Sequence, residues 1–136
     1  MIVTPVFNFS RDILSAKYVL SKGIKSYFVT KEITNNDSIK MNRDSYFVKR
    51  LSNSSSELHK LLFKNLKYVP AFYFNDPLTL SYVINESIIS FKKENMEFLD
   101  NGMQKYSFNP LSKTSISKAA DYEKFKSIFF ERVLSY

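Results

Sequence analysis

Ile2-Val3-Thr4-Pro5-Val6-Phe7, the run from Ser10 to Lys22, and Gly23-Ile24-Lys25-Ser26-Tyr27-Phe28-Val29-Thr30 make up the stretch whose reading decides the fold. The first run is apolar and short enough for a buried strand. Ser10 is placed to cap a helix over 11–22 that carries Ile13, Leu14, Ala16 and Leu20. Gly23 ends it: a helix end that needs a left-handed backbone selects glycine, and the chain has only 2 glycines. Ile24 to Thr30 is rich in β-branched and aromatic residues and reads as a second strand. Strand, helix, glycine and strand within about thirty residues predict a βαβ unit, with parallel strands and a right-handed crossover.

Working outward, Glu32 to Asn42 is a polar connector with Thr34-Asn35-Asn36-Asp37-Ser38 as its turn-forming centre. Asp44-Ser45-Tyr46-Phe47-Val48 is compatible with a short edge strand or a docking segment. A helix over 55–66 follows, opened by Ser54 and Glu57 at capping-box spacing, with Leu58, Leu61, Leu62 and Leu66 on its apolar face. His59 falls off that stripe and reads as a solvated surface histidine. Tyr68 to Phe74 reads as a third buried strand, and Asn75-Asp76-Pro77 opens a helix over 77–86 that turns Leu80, Val83 and Ile84 inward. Asp100-Asn101-Gly102, between two strand-like runs, is a hairpin signal. A last helix is predicted over 115–134, carrying Ile116, Ala119, Phe125, Ile128, Phe129 and Val133. The core strands expected are 2–7, 24–30 and 68–74, all parallel.

The totals limit the function classes. At 136 residues the chain reads as a single domain over 1–136, and its 44% hydrophobic content excludes a disordered chain. Thirteen Phe and 9 Tyr predict a core filled by rings. With no cysteine and 1 histidine, thiolate chemistry and sites built on several imidazoles are excluded. No apolar run approaches a membrane span and no basic leader precedes the first strand, so a cytoplasmic location with no membrane partner is expected. The net charge of +7 raises nucleic acid as a partner, with Lys49, Arg50, Lys92 and Lys93 as phosphate contacts. The lysines are scattered, and a composition rich in Lys, Asn, Ile, Phe and Tyr is better explained by an AT-rich coding sequence.

Taken together, the order of these pieces resembles the N-terminal domain that precedes the ATP-binding module in ATP-grasp carboxylate–amine ligases. Four places carry the resemblance: the opening strand and helix (Ile2 to Lys22), the glycine-initiated strand Gly23 to Val29, the segment Arg43-Asp44-Ser45-Tyr46-Phe47-Val48, and the junction Phe72-Tyr73-Phe74-Asn75-Asp76-Pro77. The tail Ile116 to Phe125 is similar to the entry into the ATP module, with Asp121-Tyr122 where that family often has Asp-Lys. The resemblance implies a Rossmann-like three-layer α/β domain with a mostly parallel central sheet. It also implies part of a ligase that is incomplete on its own, with ATP and magnesium bound only in a module absent from this chain. An ATP-binding subunit, or a homodimer through the C-terminal helix, would then be the partner.

Ligands of open α/β sheets bind beyond the carboxyl ends of the strands. Two junctions are expected there, Asn8-Phe9-Ser10-Arg11 and Asn75-Asp76, which makes Asn8, Ser10, Arg11, Asn75 and Asp76 the candidate substrate-binding residues. Helix N-terminal amides and the Arg11 guanidinium suit a carboxylate or phosphate. Plain capping is the competing reading at both junctions. The first loop lacks the glycines that a dinucleotide pyrophosphate needs, which argues against NAD, FAD and NADP. No catalytic residue is assigned. Glu94, Glu97 and Asp100 have helical-face spacing, but a solvated face explains them better than a metal site, and no metal ligand is assigned. Tyr46, Phe47, Lys49 and Arg50 interleave rings and cations as a single-strand binder does, and as an ordinary edge strand does.

Overall fold

A computed structural model describes residues 2–3, 7–100 and 103–135, without the side chains of Ile2, Val3 and Phe7. The chain divides into two compact units, Met1–Lys31 with Ser90–Ala119, and Glu32–Ile89 with Ala120–Tyr136.

The first unit is built on a five-stranded sheet of order β1-β6-β5-β7-β2. Its strands are β1 (Ile2–Val3), β2 (Ser26–Phe28), β5 (Ile89–Phe98), β6 (Gln104–Phe108) and β7 (Thr114–Ala120). The expected βαβ unit does not form. β1 pairs antiparallel with β6, β2 pairs parallel with β7, and three strands separate them. Thr4, Pro5 and Val6, which the opening strand was expected to include, lie outside the described residues. Periodicity identifies strands, but their partners are set by distant segments, and here the partner of β2 was read as helix. Thr114-Ser115-Ile116-Ser117 buries three residues in a row in the middle of the sheet, and the Ser117 hydroxyl can be buried there because it finds a partner. The buried Ser117 Oγ accepts the Thr30 N–H at 2.9 Å.

Helices α1 (Phe7–Arg11) and α2 (Ile13–Ser21) cover one face of this sheet. Ile13, Ala16 and Leu20 are spaced to fall on one side of α2 and pack, with Phe9 and Phe28, on the buried Met96, Phe98, Tyr106 and Ile116. Gly23 follows the C-cap Lys22 with φ +62, as its place in the sequence predicts, and its N–H bonds the Leu20 carbonyl at 3.1 Å. A Cβ there would meet only the Lys113 side chain, at 3.7 Å, so the constraint is conformational and not steric. Gly23→Ala is therefore expected to lower stability by roughly 1–2 kcal/mol, read from the urea midpoint. An unchanged or higher midpoint would contradict the left-handed assignment. The hairpin signal is matched: β5 and β6 are antiparallel, Phe98 opposite Gln104, closed by Leu99 N–H to Met103 O at 2.8 Å. Asn101 and Gly102 themselves lie outside the described residues.

The second unit holds α3 (Lys31–Thr34), β3 (Lys40–Asn42), α4 (Tyr46–Ser52), α5 (Glu57–Leu66), β4 (Ala71–Tyr73), α6 (Asn75–Ile84) and α7 (Tyr122–Leu134). β3 and β4 pair antiparallel, so the third expected core strand belongs to a small separate sheet. The segment read as an edge strand is α4, which buries Phe47, Val48 and Leu51. α7 starts later than predicted because Asp121 caps it, accepting the Lys124 N–H at 2.9 Å. Ile116 and Ala119 consequently lie on β7 and not on the helix. Phe47, Phe74, Phe125, Phe129 and Phe130 form the core of this unit, with ring centroids 5.0–6.2 Å apart.

Two helices present faces that differ from those expected: α5 keeps Leu62 and Leu66 inward but not Leu58 and Leu61, and α6 is turned the other way. On α5, Leu58 and Leu61 are exposed and His59 is buried at 2%. The inward stripe is His59, Leu62, Phe63 and Leu66, which has equally good helical spacing. Ser56, and not Ser54, stands at its N-cap. On α6, Leu78 and Ser81 are buried while Leu80, Val83 and Ile84 are exposed. The Ser81 hydroxyl can go inside because it donates to the Leu78 carbonyl at 2.6 Å.

Candidate functional site

The two predicted junctions fall in different units and are built differently. Asn8, Ser10 and Arg11 all lie on the five-residue helix α1, so Ser10 is inside a helix and is not the N-cap of α2. Asp12 takes that role: its carboxylate accepts the Ser15 N–H at 2.9 Å and the Ser15 hydroxyl at 2.6 Å. The Ser15 hydroxyl, and after it the Ser15 amide, hold the Asp12 carboxyl below the usual range. The N-terminus of α2, expected to receive an anion, thus already carries one in its N-cap.

At the second junction β4 ends at Tyr73, Phe74 is the N-cap of α6 with no side-chain bond, and Asn75 and Asp76 form its first turn. Phe74 is buried and its N–H bonds the Ile39 carbonyl at 3.1 Å, which fixes the start of the helix. Asn75 and Asp76 are both exposed. Asp76 also lines a groove of about 450 Å³ whose other walls are α6 and α7. Leu80, Ile84, Ile128, Phe129 and Val133 make that groove apolar, and Arg132 is its second charged member. The outward turn of Leu80 and Ile84, opposite to the sequence expectation, is what creates it.

The residues weighed for other chemistry separate. Lys92 and Lys93 are adjacent on β5 and therefore point to opposite faces of the sheet, Lys92 with its Nζ 4.7 Å from the Phe108 ring centroid. Lys49 and Arg50 sit in the last turn of α4 in the other unit, where Phe47 is buried in the ring cluster and cannot stack on a base. Glu94, Glu97 and Asp100 do not share a helix. Glu94 and Glu97 are on β5, Glu94 buried and paired with Lys118 at 2.8 Å, Glu97 paired with Lys105 at 3.9 Å, and Asp100 with Lys17 at 3.2 Å. Among the described residues no group of three or more acidic or histidine side chains could hold a metal ion. No helix among them is long and apolar enough to cross a membrane.

The sequence reading missed a second hollow, in the first unit. Lys25, Tyr27, Lys93, Ser112, Lys113 and Ser115 line a space of about 450 Å³ beside Gly23. Its signal was present as period-two spacing, Lys25 with Tyr27, Phe91 with Lys93 and Lys113 with Ser115, in segments of which one was assigned to helix and another left unassigned.

No protein-family model matches the chain, and no curated protein matches it. Among solved structures its α/β fold is similar to that of one described as a plant nucleoside hydrolase. A plant nucleoside hydrolase, the PpNRh1 enzyme, superposes over 91% of this chain with a TM-score of 0.74 at 15% sequence identity. The chain spans less than half of that enzyme, 46% of its length. The Rossmann-like α/β class expected from the sequence is thus what the chain adopts. The resemblance to a pre-ATP-grasp domain is overturned, since the fold likeness is to a nucleoside hydrolase and the βαβ opening that carried the resemblance is not formed. The ATP-binding module or subunit, with its ATP and magnesium, was expected on that resemblance alone and loses its basis.

Proposed function

We propose that this chain is a nucleoside-binding part of a nucleoside-hydrolase-like protein, taking the sugar at Asn75 and Asp76 and the base in the groove between α6 and α7. The observation that carries this reading is the fold likeness to a nucleoside hydrolase over nearly the whole chain. The chemistry of the junction supports it. An exposed carboxylate such as Asp76 accepts bonds from two neighbouring hydroxyls, and the Asn75 amide both donates and accepts. The apolar walls beside Asp76, Phe129 among them, suit a flat heterocycle, and the groove is in the size range of small-molecule sites. Small-molecule binding at Asn75 and Asp76 continues the reading of the sequence with a different ligand class. No bond-breaking step is assigned to these residues.

Calorimetric titration of adenosine and of uridine into wild type and Asp76→Ala tests this. A nucleoside that binds wild type and binds the variant about tenfold or more weakly is the expected result, since a hydrogen bond to a charged group is worth about 1.5–3 kcal/mol. Equal affinities, or no binding of either nucleoside, would overturn it.

A further inference from the structure

The hollow in the first unit has chemistry that the nucleoside reading does not use. Three lysines, Lys25, Lys93 and Lys113, converge on it from β5 and from the segments that lead into β2 and β7, and among the described residues no carboxylate lines it. Neither Lys93 nor Lys113 has an ion-pair partner among the described residues. Glu97, which shares the Lys93 side of β5, is already paired with Lys105. The missing side chain of Gly23 leaves room at the edge of the hollow, where the Lys113 Nζ lies 3.7 Å from the position a Cβ would take.

Aromatic surface lies beside the cations. Tyr27 is 43% exposed, stands opposite Ser115 in the β2–β7 register, and meets Phe91 edge-on with centroids 5.2 Å apart. The Lys25 Nζ is 5.4 Å from the centroid of the Tyr27 ring. Ser112 is already used: its hydroxyl donates to the Glu94 carbonyl at 3.0 Å and accepts the Thr114 N–H at 3.1 Å. Ser115 lies 8% exposed in the wall of the hollow.

We infer that this hollow binds an aromatic phosphate of the mononucleotide class, its phosphate held by Lys25, Lys93 and Lys113 and its ring stacked on Tyr27. Three converging ammonium groups with no lining carboxylate favour a multiply charged anion over a carboxylate. An exposed tyrosine ring beside them favours a ligand that carries a flat base. The site is separate from Asn75 and Asp76, and it holds whether or not those residues bind a nucleoside.

The test is an amide-resolved NMR titration with AMP, with inorganic phosphate, adenosine and a ten-nucleotide thymidine strand as comparison probes. AMP is expected to shift the amides of Lys25, Tyr27, Lys93 and Lys113, with an affinity that falls as salt is raised. Lys93→Ala and Lys113→Ala, both exposed positions, are each expected to weaken AMP about tenfold. Tyr27→Ala should weaken AMP while leaving inorganic phosphate unchanged. No shift at these amides at millimolar AMP, or lysine variants that bind AMP as wild type does, would overturn the proposal. A thymidine strand that binds these residues far more tightly than AMP would overturn the mononucleotide assignment in favour of single-stranded nucleic acid. Adenosine shifts confined to Asn75, Asp76 and the α6–α7 groove would report on the other site alone.

Discussion

Phe125→Ala is expected to lower the stability of the protein by about 3–5 kcal/mol, the range for deleting a buried ring from a packed core. Phe125 is fully buried, with its ring 5.5 Å from Phe129 and 6.2 Å from Phe74. It lies one turn into α7, just after the Asp121 cap, and its N–H bonds the Asp121 carbonyl at 2.9 Å. Alanine would keep the helix but leave a ring-sized void among residues too large to close it. For a domain whose whole stability is about 5–15 kcal/mol, that loss takes a large share. Chemical denaturation monitored by far-ultraviolet circular dichroism reads it. A change under about 1 kcal/mol would mean that the cluster is not the core of this unit.

The second large effect is expected at His59. Its Nε2 lies 2.6 Å from the Val133 carbonyl and its Nδ1 2.7 Å from Ser54 Oγ. A carbonyl only accepts, so Nε2 carries the hydrogen, and a neutral ring then accepts at Nδ1 from the Ser54 hydroxyl. Ser54 Oγ in turn accepts the Ser56 N–H at 3.1 Å. The network ties the start of α5 to the last turn of α7. His59→Ala removes both side-chain bonds and the ring, and a cost of about 2–4 kcal/mol is expected from the stranded polar groups and the cavity. His59→Phe keeps an aromatic ring while removing both hydrogen bonds and adding volume, and a loss of at least roughly 1–3 kcal/mol is expected. A surface histidine would give less than about 0.5 kcal/mol on either substitution, and that result would contradict the buried clamp.

His59 also shows why the sequence was only partly readable. The expected stripe Leu58, Leu61, Leu62 and Leu66 is only half kept: Leu62 and Leu66 face inward, while His59 and Phe63 take the places of Leu58 and Leu61. The imidazole can be buried because it finds two partners, one of them 74 residues away. Nothing local announces a partner at that distance. Gly23 was legible for the opposite reason: a left-handed helix end is a local requirement that glycine meets best. The existence of the hairpin and of α6 was likewise written in short-range signals. Strand partners were not, and the pairing of β2 with β7 depended on reading Thr114–Ala120 as a strand.

At the candidate sites the same division holds. The polar pair Asn75-Asp76 after an apolar strand was visible as a junction, and the structure puts it at the start of α6. The groove beside it was invisible, because it exists only with Leu80 and Ile84 turned outward and Ile128 and Phe129 brought alongside. At the other junction Ser10 was read as the cap, but it lies within α1, and Asp12, which follows that short helix, caps α2. The lysine hollow needed three separate segments to meet, so the period-two spacing within each segment did not by itself reveal it.

The most direct test of the nucleoside reading is an amide-resolved NMR titration of the full chain with unphosphorylated adenosine and uridine. The account predicts saturable shifts concentrated at Asn75, Asp76 and Ser81 on α6 and at Ile128, Phe129 and Val133 on α7. Shifts at none of these residues at saturating nucleoside, or shifts confined to other elements, would contradict it.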